Sequence, residues 1–403
     1  MDFVLPPEIE DYRTRIRRFV DERLIPLESD RANYDEHENI APAVLARLRA
    51  EAKAEGLWAL QMPKAAGGQG LPRIGMAVCY EEMNRSIFGP VVFNSAAPDD
   101  GNMMILDKVL PEPMKAEWLL PIVRGEAQSA FVMTEPDGCG SDPSLTYTKA
   151  ERAGNDRWRI TGRKWFITGA GNARIFIIIA RTSDDERKGL SAFLFKADAP
   201  GWRITRRIPI MGPEEHGGHC ELEFDGLEVP DEQRLLNVGD GLKVTQMRLG
   251  VARLTHCMRW LGLSRRCLEI AMERVKRRDS FRMKLIDRES VQGLIGQAAM
   301  EIEIGRMLTM RAAWALDQGS FARKEVSMAK IVVADALHKA ADTALQLLGG
   351  MGYSKDTVVE WIYRYARQAR LVDGASEVHR MVLANQLRAE GDGFFRWGRA
   401  GHG

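Results

Sequence analysis

The chain carries almost no net charge: 57 Lys and Arg stand against 56 Asp and Glu, leaving +1. That balance gives no reason to expect nucleic acid or an anionic membrane as the main partner. Long apolar runs are also missing. The longest, Ile175-Phe176-Ile177-Ile178-Ile179-Ala180, is far short of a membrane span and reads as a buried strand. Cysteine is scarce. Cys79, Cys139, Cys220, Cys257 and Cys267 are odd in number, widely scattered and form no C-x-x-C pair, as in a reducing compartment without disulfides. His216-Gly217-Gly218-His219-Cys220 faces no second ligand cluster, so no metal site is expected. No G-x-G-x-x-G follows a predicted strand and no Walker sequence occurs, so any nucleotide is held by other devices. Met1-Asp2-Phe3-Val4-Leu5-Pro6-Pro7 shows no basic segment followed by an apolar one, so no export signal is expected and a cytoplasmic location is.

What is present is an ordinary globular composition, 45% hydrophobic and 28% charged, in a chain of 403 residues, long enough for two or three domains. Residues 1 to about 127 read as helices: Ile9 to Leu24, Pro42 to Gly56 and Ile74 to Arg85 carry apolar residues at helical spacing. From about 128 to 238 the texture changes. Trp158 to Gly162, Trp165 to Thr168, Ile175 to Ala180, Leu190 to Phe195, Trp202 to Arg207 and Glu221 to Phe224 are short β-branched or aromatic runs between turn residues, which predicts a compact β-domain. After Gly241 the chain is helical again. Leu242 to Arg278, Arg288 to Asp317, Lys324 to Leu348 and Thr357 to Arg370 predict an antiparallel bundle. The order helices, strands, helices indicates an α+β protein with domains at 1–127, 128–238 and 239–403.

Two stretches carry chemistry. Arg370-Leu371-Val372-Asp373-Gly374-Ala375-Ser376-Glu377-Val378-His379-Arg380 sets one carboxylate directly before a glycine in an apolar, arginine-rich context. This is how a chain presents a general base to a weakly acidic carbon. Asp-Gly also ends helices, with Ser376 or Glu377 starting the next, and local sequence alone leaves both readings open. The second stretch, Arg248 to Arg288, holds twelve basic residues against four acidic ones. The excess pairs either with acids on neighbouring helices or with a pyrophosphate.

At this point the chain resembles the acyl-CoA dehydrogenase family over nearly its whole length, about Asp11 to Leu387. Phe131-Val132-Met133-Thr134-Glu135-Pro136, followed by Gly140-Ser141-Asp142, resembles the family's first β-domain signature, and Lys164-Trp165-Phe166-Ile167-Thr168-Gly169 the second. Arg278-Asp279-Ser280-Phe281 resembles the arginine-aromatic element that reaches a neighbouring subunit's cofactor, and Gln346-Leu347-Leu348-Gly349-Gly350-Met351-Gly352-Tyr353 the glycine turn that does the same. Phe93 to Asp99, Gly101-Asn102-Met103, His216 to His219, His256-Cys257-Met258-Arg259 and Asp373-Gly374 with Glu377-Val378-His379 resemble the branch of mammalian members 10 and 11. The chain departs from the wider family at Asp373, where Glu is usual and reaches roughly 1.5 Å further. It departs also at Arg282, Glu289 and an extra residue within Asp137 to Gly140. Ala252 occupies the alternative position of the base, so Asp373 is the matched candidate.

The resemblance implies a three-domain fold (N-terminal helices, a middle β-barrel-like domain and a C-terminal four-helix bundle), FAD bound between subunits, and an acyl-CoA substrate. It implies α,β-dehydrogenation to the trans-2-enoyl-CoA, with Asp373 removing the α-proton while the β-hydride passes to flavin N5. A backbone N–H at Asp373 and the flavin ribityl chain would hold the thioester carbonyl, and desolvation would raise the carboxylate's basicity. It places Phe131, Met133, Thr134, Ser141, Phe166, Ile167, Thr168, Arg278, Phe281, Gln346, Gly349, Gly350, Ala375 and Glu377 at the cofactor, and Ser141, Arg253 and Gly374 at the substrate. Thr134, Phe166 and Thr168 also fit simple strand packing. His216 and His219 fit either the acyl chain and flavin edge or a structural turn. A homodimer or homotetramer, electron-transfer flavoprotein as acceptor and a role in fatty acid β-oxidation follow from the family. Two rivals share the fold: a nitroalkane oxidase-like flavin oxidase that does not require CoA, and a non-catalytic, DNA-binding flavoprotein, against which the near-zero charge argues.

Overall fold

The computed structural model describes residues 4–186 and 188–396. Met1 to Phe3, on which the expected lack of an export signal partly rests, and the last seven residues of the expected 239–403 domain lie outside the described residues. The chain forms two compact units: Met1–Gln61, Gln69–Ser95 and Ala252–Gly403 make the first, and Met62–Gly68 with Ala96–Val251 the second.

The first unit begins with α1 (Pro7–Phe19), α2 (Pro42–Ala54), α3 (Arg73–Met83) and the short α4 (Gly89–Val92). Both α1 and α2 start on a proline, whose fixed φ suits the first helical position and whose missing N–H is not needed there. In α1, Ile9, Tyr12, Ile16 and Phe19 recur at intervals of three and four and are buried. Phe19 meets Phe93 edge-on at 5.2 Å.

The second unit opens with α5 (Asp99–Val109), α6 (Glu112–Trp118) and α7 (Leu120–Val123), which lead into β1 (Gln128–Val132), β2 (Lys149–Arg152), β3 (Arg157–Thr168), β4 (Ala173–Arg181), β5 (Leu190–Lys196), β6 (Trp202–Arg207), β7 (His219–Pro230) and β8 (Arg234–Leu235). These form one eight-stranded sheet in the order β6-β7-β3-β2-β4-β5-β8, with β1 parallel to β4. Its core is aromatic: Phe176 stacks on Phe195 at 4.7 Å, and Trp202 closes on both. The runs Trp158 to Gly162 and Trp165 to Thr168, expected as separate strands, belong to the single strand β3. Its register against β7 shifts between Lys164 and Ile167, and Phe166 sits at φ 48°. An extra residue in one strand tips its side chain out of the ladder, so Phe166 is 44% exposed beside the buried Ile167.

Helix α8 (Gly241–Arg277) starts in the second unit and continues into the first. A small hairpin of β9 (Asp279–Ser280) and β10 (Met283–Lys284) follows, then α9 (Glu289–Asp317), α10 (Arg323–Leu348), α11 (Gly350–Tyr353), α12 (Val359–Ala366) and α13 (Ser376–Glu390). The helix expected over Leu242 to Arg278 ends at Arg277, and the basic stretch on to Arg288 runs through the hairpin, whose tip holds Phe281 and Arg282 at φ of 49° and 63°. The helix expected over Thr357 to Arg370 is α12 plus a 3-10 turn, Arg367–Arg370, while the 15-residue α13 packs on α10. The core of this unit gathers Trp260, Leu261 and Leu263 of α8 with Ala329, Val333, Leu337, Ala340 and Ala344 of α10 and Ile362 of α12. The small alanines allow the helices to approach closely. Among the described residues no helix is long and apolar enough to cross a membrane.

Candidate active site

The candidate catalytic turn, Leu371 to Ala375, joins the 3-10 turn to α13 in the first unit. Asp373 adopts φ 51°, a left-handed conformation that aspartate tolerates better than most residues, and Gly374 follows at φ 97°. A Cβ at Gly374 would press on His379 Nε2 at 3.2 Å and touch Arg253 Nη2 at 3.6 Å, and at φ 97° any side chain there would be strained. Two cations hold the backbone of this turn. Arg253 Nε donates to the Asp373 carbonyl at 2.8 Å, and Lys330 Nζ donates to the carbonyls of Ala369 at 2.7 Å and Gly374 at 3.2 Å.

The turn does join two helices, as the plain reading of Asp-Gly has it, and its carboxylate has a partner of its own. Asp373 Oδ2 lies 3.2 Å from His256 Nε2, both side chains being largely buried. His256 Nδ1 is 3.2 Å from Arg259 Nη2, and its ring stacks on Trp260 at 5.0 Å. Burial pushes Lys330 down to about 8, and Lys330 also lies over the Trp260 ring. Burial, with Arg253 and Lys330 nearby, pushes His379 down to about 4, and its Nδ1 faces Ser327 Oγ at 3.1 Å. A neutral imidazole thus sits beside a carboxylate and two cations.

The second cluster belongs to the β-unit. Lys164 and Glu135 form an ion pair at 2.8 Å, both nearly fully buried. Glu135 also accepts from the N–H groups of Tyr147 and Thr148, and Lys164 donates to the Met133 carbonyl. Burial alone would raise Glu135, but Lys164 and those donors outweigh it and hold the carboxyl below its usual range. The pair fixes the segment 133–135 against the bulge of β3, where Trp165 N donates to the Thr134 carbonyl and Thr134 Oγ1 donates to the Trp165 carbonyl. Thr168 Oγ1 lies 3.0 Å from His219 Nδ1, whose Nε2 faces Glu215 at 2.7 Å. Burial opposes charge on His219, yet Glu215 prevails and raises it above the ordinary histidine range. The turn His216 to His219 docks on the turn at 169–172: a Cβ at Gly217 would meet the Gly169 carbonyl oxygen at 2.6 Å, and Gly169 N donates to the Gly218 carbonyl.

The residues singled out from sequence fall into these two units. Phe131, Met133, Thr134, Ser141, Phe166, Ile167 and Thr168 lie in the β-unit. Ile167 is packed in the sheet core and Met133 is nearly buried, whereas Ser141 is exposed and Phe131 has Arg248 over its ring. Arg253, Asp373, Gly374, Ala375 and Glu377 lie in the helical unit with Arg278, Phe281, Gln346, Gly349 and Gly350. Arg278, Phe281, Gln346, Gly349, Gly350 and Glu377 are exposed, Phe281 at 91%.

Comparison with known proteins bears directly on this arrangement. The acyl-CoA dehydrogenase N-terminal, middle and C-terminal domain models match residues 6–126, 130–227 and 239–388. The chain belongs to the acyl-CoA dehydrogenase family. Acyl-CoA dehydrogenase family member 11 of Gallus gallus is 37% identical over 92% of this chain and 49% of its own length, so the chain spans about half the length of the member 11 relatives it matches. The (R)-benzylsuccinyl-CoA dehydrogenase of Thauera aromatica is 33% identical over 97% of this chain and 98% of its own. The structure of butyryl-CoA dehydrogenase from Megasphaera elsdenii superposes with a TM-score of 0.84 at 27% identity, covering 96% of this chain and all of that one. The family is one of FAD-dependent oxidoreductases. Both the resemblance to the branch of members 10 and 11 and the α+β fold expected from the order of elements hold.

Sequence reasoning missed Lys330, the Glu135–Lys164 pair and the contact of His256 with Asp373. His256 was visible only as part of a branch motif, one helical turn after Arg253 on α8. Nothing local linked it to a residue 117 positions away. The charge excess of α8 is partly neutralised in place: Arg265 pairs with Glu82 and Glu269, and Arg266 with Glu28.

Proposed function

We propose that this chain is an FAD-dependent acyl-CoA dehydrogenase that introduces a trans double bond between the α- and β-carbons of an acyl-CoA thioester. The observation that supports this most is the Asp373 turn. A largely buried carboxylate projects from a strained loop whose backbone two cations hold and whose next residue has no side chain. Asp373 accepts the α-proton. Gly374 lets the thioester approach the backbone, and the Asp373 N–H donates to its carbonyl oxygen. Arg253, bonded to the Asp373 carbonyl, keeps the turn from relaxing.

The residues present fit FAD. In the β-unit an exposed aromatic ring, Phe166, stands on a rigid bulge near the hydroxyls of Thr134 and Thr168, a surface suited to the face and edge of a flat heterocycle. When bound, FAD supplies the acceptor for the β-hydride. Met133, Ile167 and Phe131 shape the same strand ends, and Ser141 stands exposed for the CoA arm. In the helical unit, Arg278, Phe281, Gln346, Gly349, Gly350, Ala375 and Glu377 are assigned to the dinucleotide of a second copy of the chain. Five apolar residues on one helix support a homodimer or homotetramer: α9 leaves Leu294, Met300, Ile304, Met307 and Trp314 between 40% and 50% exposed. Electron-transfer flavoprotein as acceptor, a place in fatty acid β-oxidation, a cytoplasmic setting and the three-domain division at 127 and 238 complete the reading.

Anaerobic titration of the yellow protein with a panel of acyl-CoAs tests it. Bleaching of the flavin by an acyl-CoA is expected. Bleaching by a nitroalkane, with no response to any thioester, would replace this reading with a flavin oxidase.

A further inference from the structure

The contact between His256 and Asp373 has a second contact behind it. Arg259 Nη2 lies 3.2 Å from His256 Nδ1, while Arg259 Nη1 donates to the Ser95 carbonyl at 2.8 Å. A guanidinium has donors only and stays protonated, so His256 Nδ1 must accept. The proton of the neutral imidazole therefore sits on Nε2, the atom 3.2 Å from Asp373 Oδ2. The ring is 9% exposed and stacked on Trp260 with 22° between planes, so it is held in this orientation.

We propose that His256 is the positioning residue for the base: its Nε2 stands 3.2 Å from Asp373 Oδ2 without hydrogen-bond alignment in this structure, and its N–H takes hold of that oxygen when substrate completes the site, leaving Oδ1 to meet the substrate α-carbon. The inference rests on the reading of Asp373 as base. It has a physical motive in that reading. An aspartate is one methylene shorter than the glutamate usual in the family, and small misplacements of a base are costly. A donor fixed by Arg259, and through it by the main chain at Ser95, decides which oxygen faces the carbon. Contacts of this kind tighten when substrate completes the site. His256 does not carry the proton onward, because Arg259 occupies Nδ1. In the step the α-C–H bond breaks and an O–H bond forms at Oδ1. The freed electron pair enters the new double bond as the β-hydride leaves for the flavin, and His256 stays neutral throughout.

The other charged and titratable groups around this pair are Arg253, Cys257 and Arg259 on the same helix, Lys330 from α10 and His379 from α13. A neutral N–H donor favours the ionised carboxylate, so its removal raises the base and moves the acidic limb of the rate profile to higher pH.

The test uses His256→Phe and His256→Gln in the FAD-loaded protein, beside Asp373→Asn. In H256F the rate of flavin reduction should fall about 10- to 100-fold with KM little changed, and the acidic limb should move up. H256Q, whose amide N–H reaches to a similar place, should recover most of the rate. Wild-type rate and pH limb in H256F, beside an inactive D373N, would overturn this inference alone, as would a glutamine variant no better than phenylalanine. Normal reduction in D373N would remove the base and this inference with it. Independently of turnover, the 15N spectrum of histidine-labelled protein should show His256 protonated on Nε2, and protonation on Nδ1 overturns the proposal.

Discussion

Among the described residues two lysines are fully enclosed, one in each unit, and they are used differently. Lys164 in the β-unit meets Glu135 at 2.8 Å, and the carboxylate's remaining capacity is taken by two backbone N–H groups. Lys330 in the helical unit donates to the carbonyl oxygens of Ala369, in the 3-10 turn, and Gly374, in the Asp373 turn, and lies against Trp260, with burial pushing it down to about 8. The first arrangement closes on itself and serves shape, locking the segment that carries Thr134 to the bulge that carries Phe166. The second leaves its charge directed at the turn that carries Asp373, trading self-sufficiency for a field at that carboxylate. A buried charge that is satisfied locally can be a rigid strut, whereas one satisfied only by carbonyl dipoles still acts on its neighbours.

The largest effect that tests this contrast is chemical. Asp373→Asn should retain fold and flavin but lower the rate of flavin reduction by about 10²- to 10⁴-fold or more, read by anaerobic stopped flow. Next comes the closed pair. Lys164→Met strands a buried carboxylate and should cost about 3–5 kcal/mol in denaturant unfolding, and adding Glu135→Gln should return part of that loss. Lys330→Met strands no such partner. It should cost only about 1–2 kcal/mol while slowing flavin reduction, and a loss as large as that of Lys164→Met would erase the distinction between the two lysines. Gly374→Ala should cost about 1–3 kcal/mol through its left-handed backbone and its approach to His379.

The smallest effects are titrations, and the two units should differ in sign. His219 is raised, so its ion pair with Glu215 stabilises fully below the unfolded pKa of about 6.5 and is lost as pH rises through the folded value. His379 is lowered to about 4, so the unfolded chain binds its proton first, and stability falls as pH drops from about 6.5 toward 4. Histidine NMR titration should show both, and Glu215→Gln should bring His219 down without moving His379.

Much of the fold was legible along the chain because it is local. Apolar residues at helical spacing, short β-branched or aromatic runs between turn residues, and the change of texture near residue 128 marked helices, then strands, then helices. The reading failed where tertiary contacts override local pattern. Arg163 and Lys164 looked like an interruption, yet β3 runs through them because they pair with Glu223 and Leu222 of β7. Thr357 to Arg370 looked like one long helix, but its last turn tightens as the chain enters the Asp373 turn. Of the candidate site, the turn around Asp373 and the strand ends around Thr134 and Phe166 could be marked from motifs. Their supporting residues could not.

By itself the sequence determined the kinds of element, their order, the family and the one acid matched to the base, since propensity, periodicity and motif act over a few residues. Only the tertiary structure decided which partner each buried charge has. Lys330 meets Gly374 across 44 positions and Arg253 meets Asp373 across 120, and such pairings arise from helix packing that no local spacing encodes. The physical reason is that desolvation makes every enclosed charge depend on groups brought to it by the fold, so its chemistry exists only once the chain has closed around it.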